Sequence, residues 1–219
     1  MEAIKALPEY VLKLGDLFWL RSSERVDRFH SRLGVEEDFC IDERLDRYFP
    51  ASAYQTPIYW LLKIKFAHTI SFILNFTNRT VECFAKSDLG RNEVTMIELH
   101  LGDKSNEQFI CNRLWNVYRG TQVAPNVLES MHMALEKVLL EAAKNIDAEV
   151  LESWLLYLLN NSRSASITAI VVSIVLAYPE KKQLMLRSIY LKLKIYSFMT
   201  QVEWYWINQQ SLIIPLDMD

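Results

Sequence analysis

The last hundred residues constrain the fold most, because helical segments follow one another there with almost nothing between them. Pro125 to Asn145, Asp147 to Asn160, Ser164 to Tyr178 and Pro179 to about Thr200 each carry their own start or stop signals. Segment starts at 127 and 164 are 37 residues apart and those at 147 and 180 are 33 apart, inside the ~30 to 47 range of helical repeats. The letters do not repeat; only the apolar spacing does. The expectation is a set of stacked antiparallel helix pairs, HEAT-like or an irregular α-solenoid, of the kind that presents surfaces to partners rather than building catalytic pockets.

Helix is also what the composition favours. Only five Gly and six Pro leave little material for the turns of an all-β protein, and 51% hydrophobic with 23% charged residues is a folded composition. A net charge of −3, from 24 basic and 27 acidic residues, sets up no global field for nucleic acid or acidic lipid. Cys40, Cys83 and Cys111 are odd in number and embedded among apolar residues, so they read as buried free thiols in a reducing compartment, which favours the cytoplasm. The amino terminus carries charges at Glu2, Lys5, Glu9, Lys13 and Asp16, unlike a signal peptide. The longest apolar run, Ala165 to Tyr178, falls short of the ~20 residues a spanning helix needs, so no membrane association is expected. Asn78-Arg79-Thr80 and Asn160-Asn161-Ser162 match the glycosylation sequon and read as chance matches.

Ahead of the helical half, residues 2 to 20 carry apolar positions at Ile4, Leu7, Val11, Leu14, Leu17 and Phe18, a helical stripe interrupted by Pro8 and Gly15. If Glu36 to Tyr48 is helical, Asp38, Asp42 and Asp46 share one face; three such carboxylates suit a divalent metal, but a solvated helix face is the commoner use. Pro57, after Ser52 or Thr56 as a cap, opens a helix that breaks at about Lys65. Phe66 to Lys86 continues as a longer one, on which His68 has no metal partner at i+3 or i+4. SDLGRNE reads as a turn-rich break, and residues 94 to 111 as a β-hairpin inserted among helices.

Three groups of residues are candidates for function. Asp88, Glu98 and His100 loosely match the D…E-x-K pattern of metal-dependent nucleases, with histidine in the lysine position; Glu98 and His100 equally suit the polar face of a half-buried strand. Trp115, Tyr118 and Arg119, in the segment Leu114 to Gly120, are of the types that dominate binding hot spots; the alternative is that both aromatics pack where the hairpin returns to the helices and Arg119 caps a carbonyl or pairs with an acid. Toward the carboxy terminus Lys181, Lys182, Arg187, Lys192 and Lys194 scatter around the helix without forming a stripe, while Trp204, Tyr205 and Trp206 could stack bases if exposed. Downstream of the Trp115 segment, Asn126 is expected to cap a strong helix with Glu129 completing a capping box, and Val150 to Leu159 is apolar nearly all round, so that helix must be covered on more than one side.

No phosphate-binding glycine loop, nucleophile elbow, H-E-x-x-H or C-x-x-C is present, and the histidines at 30, 68, 100 and 132 are over 30 residues apart. FPASAYQTPIYWLL, and LWNVYRG with APNVLESMHMALEKVLLE, are similar to segments in the helical regions of very large bacterial ATP-binding proteins of the NACHT or STAND-like type. The likeness covers about a third of the chain. The nucleotide-binding loop of those proteins has no counterpart here, so ATP hydrolysis does not carry over. The resemblance implies that the chain is an excised middle portion of a longer protein, and the ending SLIIPLDMD, with no helix stop, fits that. The sequence thus reads as a single mainly α domain over 1–219 with one hairpin insertion, a non-catalytic interaction or scaffold module without metal or cofactor. Its partner is a protein or another domain of a longer chain. Nucleic-acid binding, and a metal-dependent nuclease using Asp88 and Glu98, are the alternatives.

Overall fold

The structure, a computed structural model, describes residues 2–20, 34–42, 48–101 and 104–178. These form a mainly helical body with one two-stranded antiparallel hairpin. The expected segment Pro179 to Thr200, the basic and aromatic residues from Lys181 to Trp206, and Asp46 lie outside the described residues.

Proline begins helices here rather than only interrupting them. α1 (Glu2–Ala6) gives way to α2 (Pro8–Trp19), which has Pro8 in its first turn, where a missing N–H costs nothing. Gly15 does not break α2: it is buried, and a Cβ there would stand 3.0 Å from the Trp19 ring and 3.1 Å from Phe72. Pro57 likewise precedes α3 (Ile58–Ile64), and Lys65 separates α3 from α4 (Phe66–Lys86), as the sequence predicts. Neither Ser52 nor Thr56 caps α3; the Thr56 hydroxyl is buried without a hydrogen-bond partner.

Two expectations of local structure need correction. SDLGRNE is not a loop: the Ser87 hydroxyl accepts from the Gly90 N–H, and this cap starts α5 (Asp88–Glu93). Residues 36–42 are not helical either; they form a turn in which Phe39 and Cys40 donate to the carbonyls of Glu36 and Glu37, so Asp38 and Asp42 do not share a helix face. The turn is joined to the end of α2 by a bridge between Leu20 and Ile41.

The hairpin appears where the alternation predicts it, as β1 (Thr95–Leu101) and β2 (Lys104–Ile110). Its register places Glu98 opposite Glu107 on the outward face, and Leu99, Gln108 and Ile110 inward. Then come α6 (Asn112–Trp115), a 3-10 turn (Val117–Arg119), α7 (Asn126–Ala143), α8 (Ala148–Asn161) and α9 (Ala165–Ala177). Pro125 stands at the cap position of α7 and Asn126 is its first helical residue, with no side-chain cap, so the expected capping box does not form.

α7 is central, packing against α3, α9 and the 3-10 turn, while α9 also touches α8 and β2. α7 and α9 run parallel: His132 meets Ser166, Glu136 meets Ser173 and Leu140 meets Tyr178, pairs 34, 37 and 38 residues apart. α9 is buried almost all round, and each fully buried Ile or Val there is worth about 1.5–3 kcal/mol. Among the described residues no helix is long and apolar enough to cross a membrane.

The cysteine reading is corrected for two of the three residues. Cys40 and Cys83 are disulfide-bonded, with Cα atoms 6.0 Å apart, because the 34–42 turn folds back onto the end of α4. Cys111 is the free, buried thiol expected, and burial raises its pKa.

Candidate functional site

The Trp115 segment is assembled by a short helix and a turn. Cys111 caps α6 with its sulfur, 3.4 Å from the Leu114 N–H, and Gly120 ends the 3-10 turn at φ 61, a left-handed conformation that glycine adopts freely. This places Trp115 and Tyr118 at 6% and 5% exposure, inside the core. Only Arg119 of the three is half-buried, with its guanidinium 5.0 Å from the Tyr118 ring centre. Arg119 also faces Glu136, whose carboxylate accepts from the Ser173 hydroxyl; burial raises the Glu136 pKa, and Ser173 and Arg119 partly offset that. Two turns earlier on α7, Glu129 is 5% exposed, and burial with repulsion from Glu36 raises its pKa to about 7.

Asp88 and Glu98 are in unlike surroundings. Asp88 is fully exposed in the first turn of α5 and pairs with Arg91 at 3.3 Å, whereas Glu98 is exposed on the hairpin, across from Glu107. Among the described residues no group of three or more His, Cys, Asp or Glu could hold a metal ion. His68 lies on the surface.

The most organised buried chemistry is a polar seam between the hairpin and the helices. Gln108 donates to the Ser162 carbonyl at 3.1 Å and accepts from the Thr168 hydroxyl at 2.7 Å, and Asn106 donates to the carbonyls of Leu159 and Ser162. Ser164 and Ser166 share a hydrogen bond of 2.7 Å, and Ser166 lies 2.9 Å from His132 Nε2. Nδ1 of His132 faces the Leu128 carbonyl at 2.8 Å; a carbonyl only accepts, so Nδ1 carries the proton and Nε2 accepts from Ser166. Burial pushes the His132 pKa down to about 4, so the ring is neutral at pH 7. A serine and a histidine meet here, but both are fully buried and no carboxylate orients the ring from behind, so the seam joins elements together rather than offering a nucleophile to solvent.

A second knot lies on the surface between α3 and α7. Glu141 accepts from Tyr59 at 3.2 Å, from Lys137 at 3.4 Å and from Lys63, and the two ammonium groups also lie over the Tyr54 and Tyr59 rings. These donors hold the Glu141 carboxyl below the usual range. Nearby, Phe66, Ala67, Ile70, Leu139, Trp154, Tyr157 and Leu158 line an apolar groove of about 290 Å³, on the side of α8 that the rest of the described chain leaves open.

The feature that sequence reasoning missed is the outer face of α2. Leu7, Tyr10, Leu14, Leu17 and Phe18 are 49 to 71% exposed and follow at i, i+3, i+7, i+10 and i+11, which aligns them along about 16 Å of helix. The face that enters the core is the opposite one, with Leu12, Gly15 and Trp19. Trp19 supplies the grip: its ring meets Phe72 and Phe76 edge-on at 6.1 Å and its indole N–H donates to Tyr48 at 3.0 Å. The signal was present as Leu12 and Trp19 at i and i+7, a second apolar stripe on the same helix. No known protein family matches the chain, and no curated protein matches it in sequence.

Proposed function

We propose that the chain is a non-catalytic helical interaction module that binds a protein partner, or another domain of a longer chain, through the outer face of α2. The observation that carries this reading is the row of five exposed apolar side chains on a helix whose opposite face is anchored in the core. Single exposed leucines are ordinary on protein surfaces, but a contiguous stripe in helical register is the pattern that an amphipathic partner helix recognises. The parallel α7 and α9 with α8 between them support a short HEAT-like stack as the scaffold that presents this face. The resemblance to helical regions of NACHT or STAND-like proteins fits the same role, with the partner surface supplied within a longer chain.

A photo-crosslinking residue at Leu14 or Leu17, introduced into the protein in its native cells, tests this. Protein adducts at both positions, absent when the same residue replaces exposed Asn145, support the reading. Equal adduct yields at all three positions would refute it.

A further inference from the structure

We propose that the Cys40–Cys83 disulfide is a reversible redox latch that fastens the 34–42 turn over the carboxy-terminal end of α4. The backbone of the turn is tied more to itself than to the body, and a turn this short loses its own hydrogen bonds once released. Its hydrogen bonds are largely its own, with Phe39, Cys40 and Ile41 donating to Glu36, Glu37 and Glu36, while its backbone reaches the rest of the body through Asp42, which donates to the Trp19 carbonyl at 3.1 Å, and the Leu20–Ile41 bridge. Side-chain attachment comes from Ile41 and Phe39, both fully buried, with the Phe39 ring stacked on Phe84 at 4.3 Å, and from Val35 packed against the core. The disulfide is the covalent member of this set.

Two features point to a latch rather than a buried staple. Both cysteines are half-buried rather than sealed in the core. Cys40 is the non-glycine among the described residues held at positive φ, 53°, a conformation that an L-residue leaves when nothing holds it there. A dithiol reductant attacks one sulfur as thiolate, forming a mixed disulfide and releasing the other cysteine; its second thiol then displaces the first. Two electrons and two protons pass to Cys40 and Cys83, and the reductant leaves as its cyclic disulfide. Cys111 does not compete, because its thiol is buried and its pKa is raised, which keeps the thiolate scarce. Opening uncovers Phe84, which is fully buried in the latched form, together with Arg113, whose guanidinium lies 6.0 Å from the Phe84 ring and pairs with Glu93.

The test is hydrogen exchange of the full chain, read by mass spectrometry with and without dithiothreitol, alongside alkylation of free thiols after unfolding in urea. The oxidised protein is expected to show one alkylated cysteine and protected amides at 39–42. Reduction is expected to give three alkylated cysteines and to speed exchange at 39–42 about tenfold or more, while α7 keeps its protection. C40S, and separately C83S, should match the reduced protein without any reductant. Three alkylated cysteines after treatment with oxidised glutathione would overturn the proposal, as would unchanged exchange at 39–42 on full reduction. Equal loss of protection in α7 would also overturn it, by making the bond a staple for the whole fold.

Discussion

E129Q should reveal a pH dependence that the native protein hides. Glu129 and His132 stand three residues apart on α7, both within the core, and burial drives each toward its neutral form. For His132 the folded pKa of about 4 lies below the unfolded value of 6.5. Between those values the unfolded chain binds a proton that the folded one does not, so this contribution to stability is complete above pH 6.5 and is lost as pH falls through 4. For Glu129 the folded pKa of about 7 lies above the unfolded 4.5, so its contribution is complete below pH 4.5 and is lost as pH rises through 7. Each gap is about 2.5, worth about 3 kcal/mol at roughly 1.4 kcal/mol per pH unit. The two slopes oppose one another and nearly cancel from about pH 4.5 to 6.5; Glu136, also raised, leans the same way as Glu129. Glutamine keeps the shape of protonated Glu129 and cannot ionise. E129Q should therefore be more stable than the native protein by about 3 kcal/mol at pH 8, should match it near pH 4, and should lose up to about 1.4 kcal/mol for each pH unit from 6.5 to 4.5, with Glu136 offsetting part of that slope. Urea unfolding followed by tryptophan fluorescence at half-unit pH steps measures this. Parallel stability curves for the two proteins would show that the Glu129 carboxyl is hydrated in the folded state, and would refute the reasoning.

Other substitutions probe the packing and the hairpin. L155A removes a fully buried side chain from α8 and is expected to cost about 2–5 kcal/mol in thermal or urea unfolding, while Y157A, at a half-exposed position two residues on, should change stability by less than about 1 kcal/mol. E107K turns the cross-strand Glu98–Glu107 repulsion into attraction and should raise stability by about 0.5 kcal/mol at low salt, a gain that shrinks in 1 M salt. N78A removes the amide that accepts from the Arg163 N–H and donates to the Asn161 carbonyl, and should lower the unfolding free energy by about 1–3 kcal/mol.

Helix positions were legible where apolar residues recur at three and four over several turns, as in α4 and α7, and the hairpin was legible from the alternation at Ile97, Leu99 and Leu101. Local caps were less so. Ser87 turned SDLGRNE into a helix with a single hydroxyl, whereas Asn126 and Glu129, which fit the capping-box pattern, do not make it because Pro125 occupies the cap position and Glu129 enters the core. Long-range pairing left no trace in spacing: nothing in the separation of 43 positions from Cys40 to Cys83 announces that a turn brings them together. The same limit applies to surface and core. Trp115 and Tyr118 have the composition of a hot spot and lie in the interior, while Leu14 and Leu17 have the composition of a core and face outward. Burial depends on which of two apolar faces finds the larger partner, and on α2 the Trp19 face has Phe72 and Phe76.

The seam of Asn106 and Gln108 against the α8–α9 turn has a further consequence, which concerns choice among alternatives rather than depth of the energy well. A hairpin slipped by one residue would bring Glu107 and Phe109 inward in place of Asn106 and Gln108. A carboxylate offers no donor to the Ser162 carbonyl and a phenyl ring offers none either, so those backbone acceptors would be stranded in the interior. The amides thus select a single docking register, which an all-apolar inner face would not do. Leucine at both positions would strand the same carbonyls in the native register as well, so the protein would lose stability and its hairpin would lose the reason to prefer one place over another.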